Sequence, residues 1–202
     1  KFQNGRDDSA STFGGNNAAT AIAAGNNHLL ILANGVVYAV GDNSKGQLGN
    51  GATETTESIV VPVMVDETTT LTGVKGIAAG DDFSMALLED GSVYAWGSNT
   101  SGQLGNGTTN NSTTPVRVRN QWMDGSDQLA IEISAGGEHT VVVTKSGTVY
   151  AWGLDAEGQV GLGALVSGDS KQTNYLVPQQ IASGDSTSTD DLYFRDALSV
   201  SA

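Results

Sequence analysis

Short apolar runs alternate with glycine-centred breaks along this chain, and no stretch carries the three-to-four-residue spacing of an amphipathic helix. One run begins Ala21-Ile22-Ala23-Ala24-Gly25, and its like returns as Gly76-Ile77-Ala78-Ala79-Gly80 and Glu132-Ile133-Ser134-Ala135-Gly136. A second follows each time: His28–Leu32, Phe83–Leu88 and His139–Val143. Turn residues then intervene (Asn34-Gly35, Asp90-Gly91, Ser146-Gly147), and such pairs between apolar runs predict hairpins of type I′ or II′. A third strand starts at Val37-Tyr38-Ala39-Val40, Val93-Tyr94-Ala95-Trp96 and Val149-Tyr150-Ala151-Trp152. It runs into a glycine-punctuated loop whose single hydrophobe, Leu48, Leu104 or Val160, is expected to tuck beneath it. A fourth strand is predicted at Val61–Val65, Thr114–Val118 and Leu176–Ile181, where Pro62, Pro115 and Pro178 mark it as an edge.

The tyrosines stand at 38, 94 and 150, an interval of 56 residues, so the pattern is a repeat. Four short strands per repeat describe a propeller blade. The predicted division is 1–19 as the end of a preceding repeat or a leader, repeats over 20–73, 74–129 and 130–196, and the start of a further repeat at 197–202. Phe2-Gln3-Asn4-Gly5 echoes the end of one glycine loop, and Lys1 in place of Met points to preceding sequence. The tail carrying Leu198-Ser199-Val200 is expected to pair with continuing chain or with a neighbouring copy, because an open arc leaves strand edges unpaired. No helix of three turns is expected between Thr20 and Ile181.

The run Ala-Gly-x-x-His, apolar strand, Asn/Asp-Gly, Val-Tyr-Ala-Trp-Gly and Gly-Gln-Leu-Gly-Asn-Gly resembles the repeat of the regulator of chromosome condensation (RCC1) family, in its bacterial type. The resemblance implies an all-β chain: a β-propeller of four-stranded blades, about three of them complete, from a seven-blade ring used as an interaction platform. This chain departs from the pattern at Phe83, where the family has His, and at Val40, where it has Trp.

Composition narrows the functions. Twenty-two acids against nine bases give a net charge of −13, unsuited to nucleic-acid phosphates or anionic membranes. Cysteine is absent, so disulfides and thiolate metal sites are excluded. No apolar window is long enough to span a bilayer. His28 and His139 share one repeat position that Phe83 fills in the middle copy, which marks a packing site. The glycine loops lack the Gly-Lys-Ser/Thr and following helix of a phosphate site. Asp42-Asn43-Ser44 and Asp155-Ala156-Glu157 come nearest to a calcium loop without matching the EF-hand pattern. No catalytic residue, metal or cofactor is therefore expected.

Trp96 and Trp152 repeat and are read as structural. Trp122, Met123, Tyr175, Tyr193 and Phe194 do not repeat, and such aromatics either anchor an interface or cover their own loops. The expected function is a non-enzymatic protein-interaction or structural module, secreted or on a bacterial surface, binding a protein or further copies of itself in a larger assembly. The alternatives are an accessory propeller domain of a larger enzyme and a guanine-nucleotide exchange factor-like protein. The basic surface of the family's chromatin member has no counterpart here.

Overall fold

The computed structural model describes residues 18–52, 56–119, 129–162, 174–181, 197 and 201–202. Within them the chain forms three four-stranded antiparallel sheets, each in simple sequence order, and no helix. The first holds β1 (Ala19–Ala24), β2 (His28–Ala33), β3 (Val36–Asp42) and β4 (Thr56–Pro62). β5 (Val74–Ala79), β6 (Phe83–Leu88), β7 (Val93–Gly97) and β8 (Ser112–Arg117) make the second. The third consists of β9 (Ala130–Ala135), β10 (His139–Thr144), β11 (Val149–Leu154) and β12 (Asn174–Gln180). The inner strands β1, β5 and β9 lie side by side across sheet boundaries, whereas the outer strands do not meet in this way. Sheets that converge on one edge and splay at the other are the blades of a propeller arc.

The hairpin turns split into two kinds. Ala33 pairs directly with Val36, so Asn34 (φ 51°) and Gly35 (φ 72°) form the expected two-residue turn with both residues left-handed. The other two turns are one residue longer. Leu88 N donates to Ser92 O and Gly91 N to Leu88 O, with Gly91 at φ 80°. Thr144, Gly147 and Thr148 repeat those two bonds. These are three-residue loops closed by a glycine bulge, not I′ or II′ turns. Asp90 and Ser146 are not the first central residue of a two-residue turn, which is where the pairwise reading fails.

The outer strands also begin earlier than their apolar runs suggest. Ala95 pairs with Val116 but Gly97 with Ser112, so two extra outer-strand residues bulge opposite Trp96. The same offset separates Ala39–Val61 from Gly41–Glu57, and Ala151–Gln179 from Gly153–Tyr175. Pro115 and Pro178 sit in these bulges, where the missing N–H costs no ladder bond.

The middle blade buries both faces. The trailing face of the first (Leu30, Leu32, Val37, Ala39, with Leu48) meets Trp96 and Ala86 on the leading face of the second. Met85, Leu87, Val93, Ala95 and Leu104 meet Val142 and Trp152 of the third in the same way. Leu48, Leu104 and Val160 are all fully buried, as their place in the glycine loops predicts. Ile22, Ile77 and Ile133 hold equivalent places on the inner strands, opposite Ile31, Ala86 and Val142. Ile22 alone is open, at 70% exposure.

Candidate interaction surface

Two features repeat from blade to blade: a loop that locks onto the next blade, and a row of turns that presents charge. The loop of the first blade is held internally by side-chain amides. Asn43 Oδ1 accepts from Leu48 N at 3.0 Å, and Gln47 Oε1 from Lys45 N at 2.8 Å. Asn99 and Gln103 repeat both bonds, to Leu104 N and Ser101 N. In the third loop Asp155 Oδ1 and Gln159 Oε1 do so again, to Val160 N and Glu157 N. The acids at Asp42 and Asp155 thus organise their loops: Asp42 also accepts from Ser44 Oγ and Gln47 Nε2, each at 2.7 Å. Among the described residues no group of three or more His, Asp or Glu side chains is placed to hold a metal ion.

Once folded, the loop offers a backbone carbonyl to its neighbour. Trp96 Nε1 donates to Gln47 O at 2.9 Å and Ser84 Oγ to the same oxygen at 2.7 Å. Trp152 Nε1 and Thr140 Oγ1 donate to Gln103 O at 2.9 and 3.1 Å. Ser84 faces Trp96 across β6 and β7, and Thr140 faces Trp152 across β10 and β11, so each lock is one cross-strand pair. The tryptophans and the buried hydrophobe are legible in the sequence; the two hydroxyls are not. A Ser or Thr one residue past the His/Phe position, together with the recurring Gln, is the signal that was available.

His28 sits at the first lock. Ser84 commits its one hydroxyl proton to Gln47 O, so His28 Nε2–H is the donor to Ser84 Oγ, at 2.9 Å. His28 Nδ1 is then bare, buried and without a hydrogen-bond partner among the described residues. Burial pulls the imidazole from its ordinary 6.5 down to about 4, against the opposing pull of Asp42. His139 is lowered as well, by burial first, with Asp155 opposing. Both rings pack over the glycine at the end of their own inner strand, Gly25 or Gly136, as Phe83 does over Gly80. The two histidines lie in different blades.

An imidazole whose folded pKa is depressed favours folding in its neutral form. The His28 contribution is therefore complete above pH 6.5 and is lost as pH falls toward 4, a loss of roughly 3 kcal/mol. His28→Phe, which copies the ring at Phe83, is expected to flatten that part of the stability curve. Urea unfolding of both proteins between pH 7 and about 4 checks this. Parallel curves would show that the His28 proton is not coupled to folding.

The second feature is charge. Asn26 N donates to Asp81 O, and Asp81 N to Gly137 O, which ties the inner-hairpin turns of three blades into one row. Asp81, Asp82 and Glu138 stand on that row, with Asp42 close by. Partial burial pushes the Asp82 carboxyl up first; Asp42, Asp81 and Glu138 push it further, and Lys45 opposes them. Ser101 Oγ of the second loop donates to Glu138 Oε2 at 3.0 Å. With four carboxylates beside the single ammonium of Lys45, this row is a rim of net negative potential.

Of the non-repeating candidates Trp122, Met123, Tyr175, Tyr193 and Phe194, only Tyr175 falls within the described residues. It lies on β12 opposite Gly153, 7% exposed and packed into the core of the third blade. That placement, buried on a strand, corrects its reading as a loop aromatic. Burial raises its hydroxyl pKa, with Asp155 adding to the rise. Trp122, Met123, Tyr193 and Phe194 lie outside the described residues, as do Phe2–Gly5 and Leu198–Val200.

This geometry agrees with what comparison with known proteins shows. The family profile described as "Regulator of chromosome condensation (RCC1) repeat" matches residues 34–87, 90–143 and 146–192. The chain belongs to the RCC1 repeat family. A second RCC1 profile matches residues 19–47, 74–103 and 130–159. The first runs from the outer half of one blade into the inner half of the next, so the RCC1 repeat spans the lock just described. The chain is 33% identical over 153 residues to the ultraviolet-B receptor UVR8 of Arabidopsis thaliana, covering 75% of this chain and 33% of the receptor. It is 37% identical over 127 residues to human E3 ubiquitin-protein ligase HERC2, covering 63% of this chain and 2% of the ligase. The solved structure of Prp20p from Saccharomyces cerevisiae superposes with a TM-score of 0.68 at 24% identity, over 85% of this chain and 40% of Prp20p. The chain thus spans a third or less of the length of these curated relatives, and the yeast likeness extends to the fold.

Proposed function

We propose that this chain is a non-enzymatic protein-interaction module of the RCC1 type, with the acidic row of turns as its contact surface and a basic protein segment as its partner. The observation that carries this reading is the row of turns tied together by the Asn26 N–Asp81 O and Asp81 N–Gly137 O bonds, which sets Asp81, Asp82 and Glu138 side by side as a surface that a Lys/Arg-rich segment complements. Relatives named as a photoreceptor and as a ubiquitin ligase share the repeat rather than one reaction, which favours a binding role for the part held in common. A rim made of turns also suits recognition, because turns are carried on a rigid scaffold and are free to vary. A secreted or surface-displayed location, proposed on the acidic, cysteine-free composition, is consistent with such a role.

The test is binding of a labelled Lys/Arg-rich peptide, followed by fluorescence anisotropy at low and at physiological salt. Asp81→Asn, Asp82→Asn and Glu138→Gln together are expected to weaken binding about tenfold or more at low salt. Glu57→Gln, Glu67→Gln and Glu89→Gln together change net charge equally but lie off the row, and are expected to have a small effect. Equal losses in the two triple variants would reduce the attraction to overall charge and overturn the proposed surface.

A further inference from the structure

An asparagine or aspartate followed by glycine is chemically labile, because the glycine amide nitrogen can close a ring on the preceding side chain with no Cβ in the way. Four such pairs stand among the described residues: Asn34-Gly35, Asn50-Gly51, Asp90-Gly91 and Asn106-Gly107. The three asparagines share the same following residue, so local sequence does not rank them. The fold does. Ring closure needs a glycine nitrogen that is not already bound and a side chain able to turn toward it.

Three of the four pairs are held. Gly51 N donates to Thr113 O at 3.0 Å and Gly107 N to Leu176 O at 2.9 Å, each onto the outer strand of the next blade. Gly91 N is committed to Leu88 O at 3.0 Å, inside its own turn. The side chains are held as well. Asn50 Oδ1 accepts from Asn43 Nδ2 at 3.2 Å and from Ala52 N at 3.1 Å. Asn106 Oδ1 accepts from Thr108 N and Thr108 Oγ1 at 3.0 and 2.8 Å, and Asp90 Oδ1 from Ser92 N at 2.8 Å. Reaction at these pairs has to wait for a local opening that breaks those bonds.

Asn34-Gly35 differs. Asn34 is exposed at the tip of the β2–β3 hairpin, and Gly35 N donates to no group among the described residues. The turn itself leaves that nitrogen outside the ladder, since Ala33 pairs with Val36 across two left-handed residues. From this contrast we infer that Asn34-Gly35 is a site of spontaneous deamidation in the folded protein, and that the bonds just named protect Asn50, Asn106 and Asp90.

The chemistry needs only water and base. Gly35 N gives up its proton to hydroxide and bonds to Asn34 Cγ; the Cγ–Nδ2 bond breaks, and that nitrogen takes a proton from water and leaves as ammonia. Water then opens the succinimide. Cleavage at Cγ gives aspartate, whereas cleavage at the main-chain carbonyl gives isoaspartate, with the backbone rerouted through the side chain. Either product adds a negative charge, and isoaspartate also adds a methylene to a turn of only two residues. That turn carries Gly35 O, which accepts from Val74 N at 3.0 Å where the chain enters the second blade, so the change reaches a junction between blades.

The test holds the 202-residue chain at mildly alkaline pH and physiological temperature, both folded and in urea. Peptide mass spectrometry follows each pair, and electron-transfer fragmentation separates aspartate from isoaspartate. In the folded chain Asn34 is expected to convert at least about tenfold faster than Asn50 or Asn106, with Asp90 unchanged. In urea the three asparagines are expected to convert at similar rates, because the bonds that distinguish them are gone. Asn50 or Asn106 reacting as fast as Asn34 in the folded chain would overturn the inference. So would a preference of the same size in urea, which would trace it to sequence. An Asn34 that stays intact in the folded chain while the urea-treated chain reacts would overturn it too, by showing that the turn locks this pair as well.

Discussion

Trp96→Ala is expected to lower the unfolding free energy by about 3–5 kcal/mol, the range for truncating a fully buried aromatic. Trp96 is 0% exposed and stands between the first two blades, with Leu30, Leu32, Leu48 and Val63 in the same core. Removing the indole empties that space and takes one of two donors from Gln47 O, the other being Ser84 Oγ at 2.7 Å. Trp96→Phe separates the two effects. It keeps most of the buried ring and loses the N–H, so about 1–2 kcal/mol is expected, the scale of one hydrogen bond with slight repacking. Val40→Ala at the equivalent place in the first blade is expected to cost about 1 kcal/mol or less, because that face is partly open. Urea unfolding with a common m-value measures all three. If Trp96→Ala and Val40→Ala shift the midpoint alike, the indole does not join the blades.

Gly97→Ala should be worse still, above about 4 kcal/mol or enough to prevent folding. Gly97 has φ 102°, where an L side chain is strained, and its neighbours cannot step aside. A Cβ there would lie 2.5 Å from Asp82 O, 2.9 Å from Phe83 Cα and 3.1 Å from Gln47 Cα. All three are backbone atoms, and the last belongs to the loop of the preceding blade. Relief would require opening the β6–β7 hairpin or lifting the lock. Gly73→Ala is the control. Gly73 has φ 70° but nothing within 4 Å of the added carbon, so only the backbone cost of about 1–2 kcal/mol is expected. Thermal unfolding followed by circular dichroism compares them. A Gly97→Ala protein as stable as Gly73→Ala would show that the blade junction is softer than its geometry implies.

The sequence by itself determined the repeat, the four strands per blade, the burial of Leu48, Leu104, Val160 and the two tryptophans, and the class of histidine site. These follow from local rules: apolar alternation specifies strands, glycine at fixed offsets specifies turns, and a 56-residue interval brings equivalent residues to equivalent places. Three things it did not determine, each because the deciding contact lies outside the segment that carries the residue. Asp90 and Ser146 read as central turn residues, yet the closing bonds run from Leu88 to Ser92 and from Thr144 to Thr148. Tyr175 does not repeat and so reads as a loop aromatic, but the bulge opposite Trp152 brings it into register with Gly153 and buries it. The lock itself joins residues up to 49 positions apart through a backbone carbonyl that no residue type announces. Only the tertiary structure decided which hydroxyl meets which loop and that Asp81, Asp82 and Glu138 share one row. Strand pattern is written in neighbours along the chain; complementarity between blades is a matter of shape and unpaired polar groups, which exist only after the blades have packed.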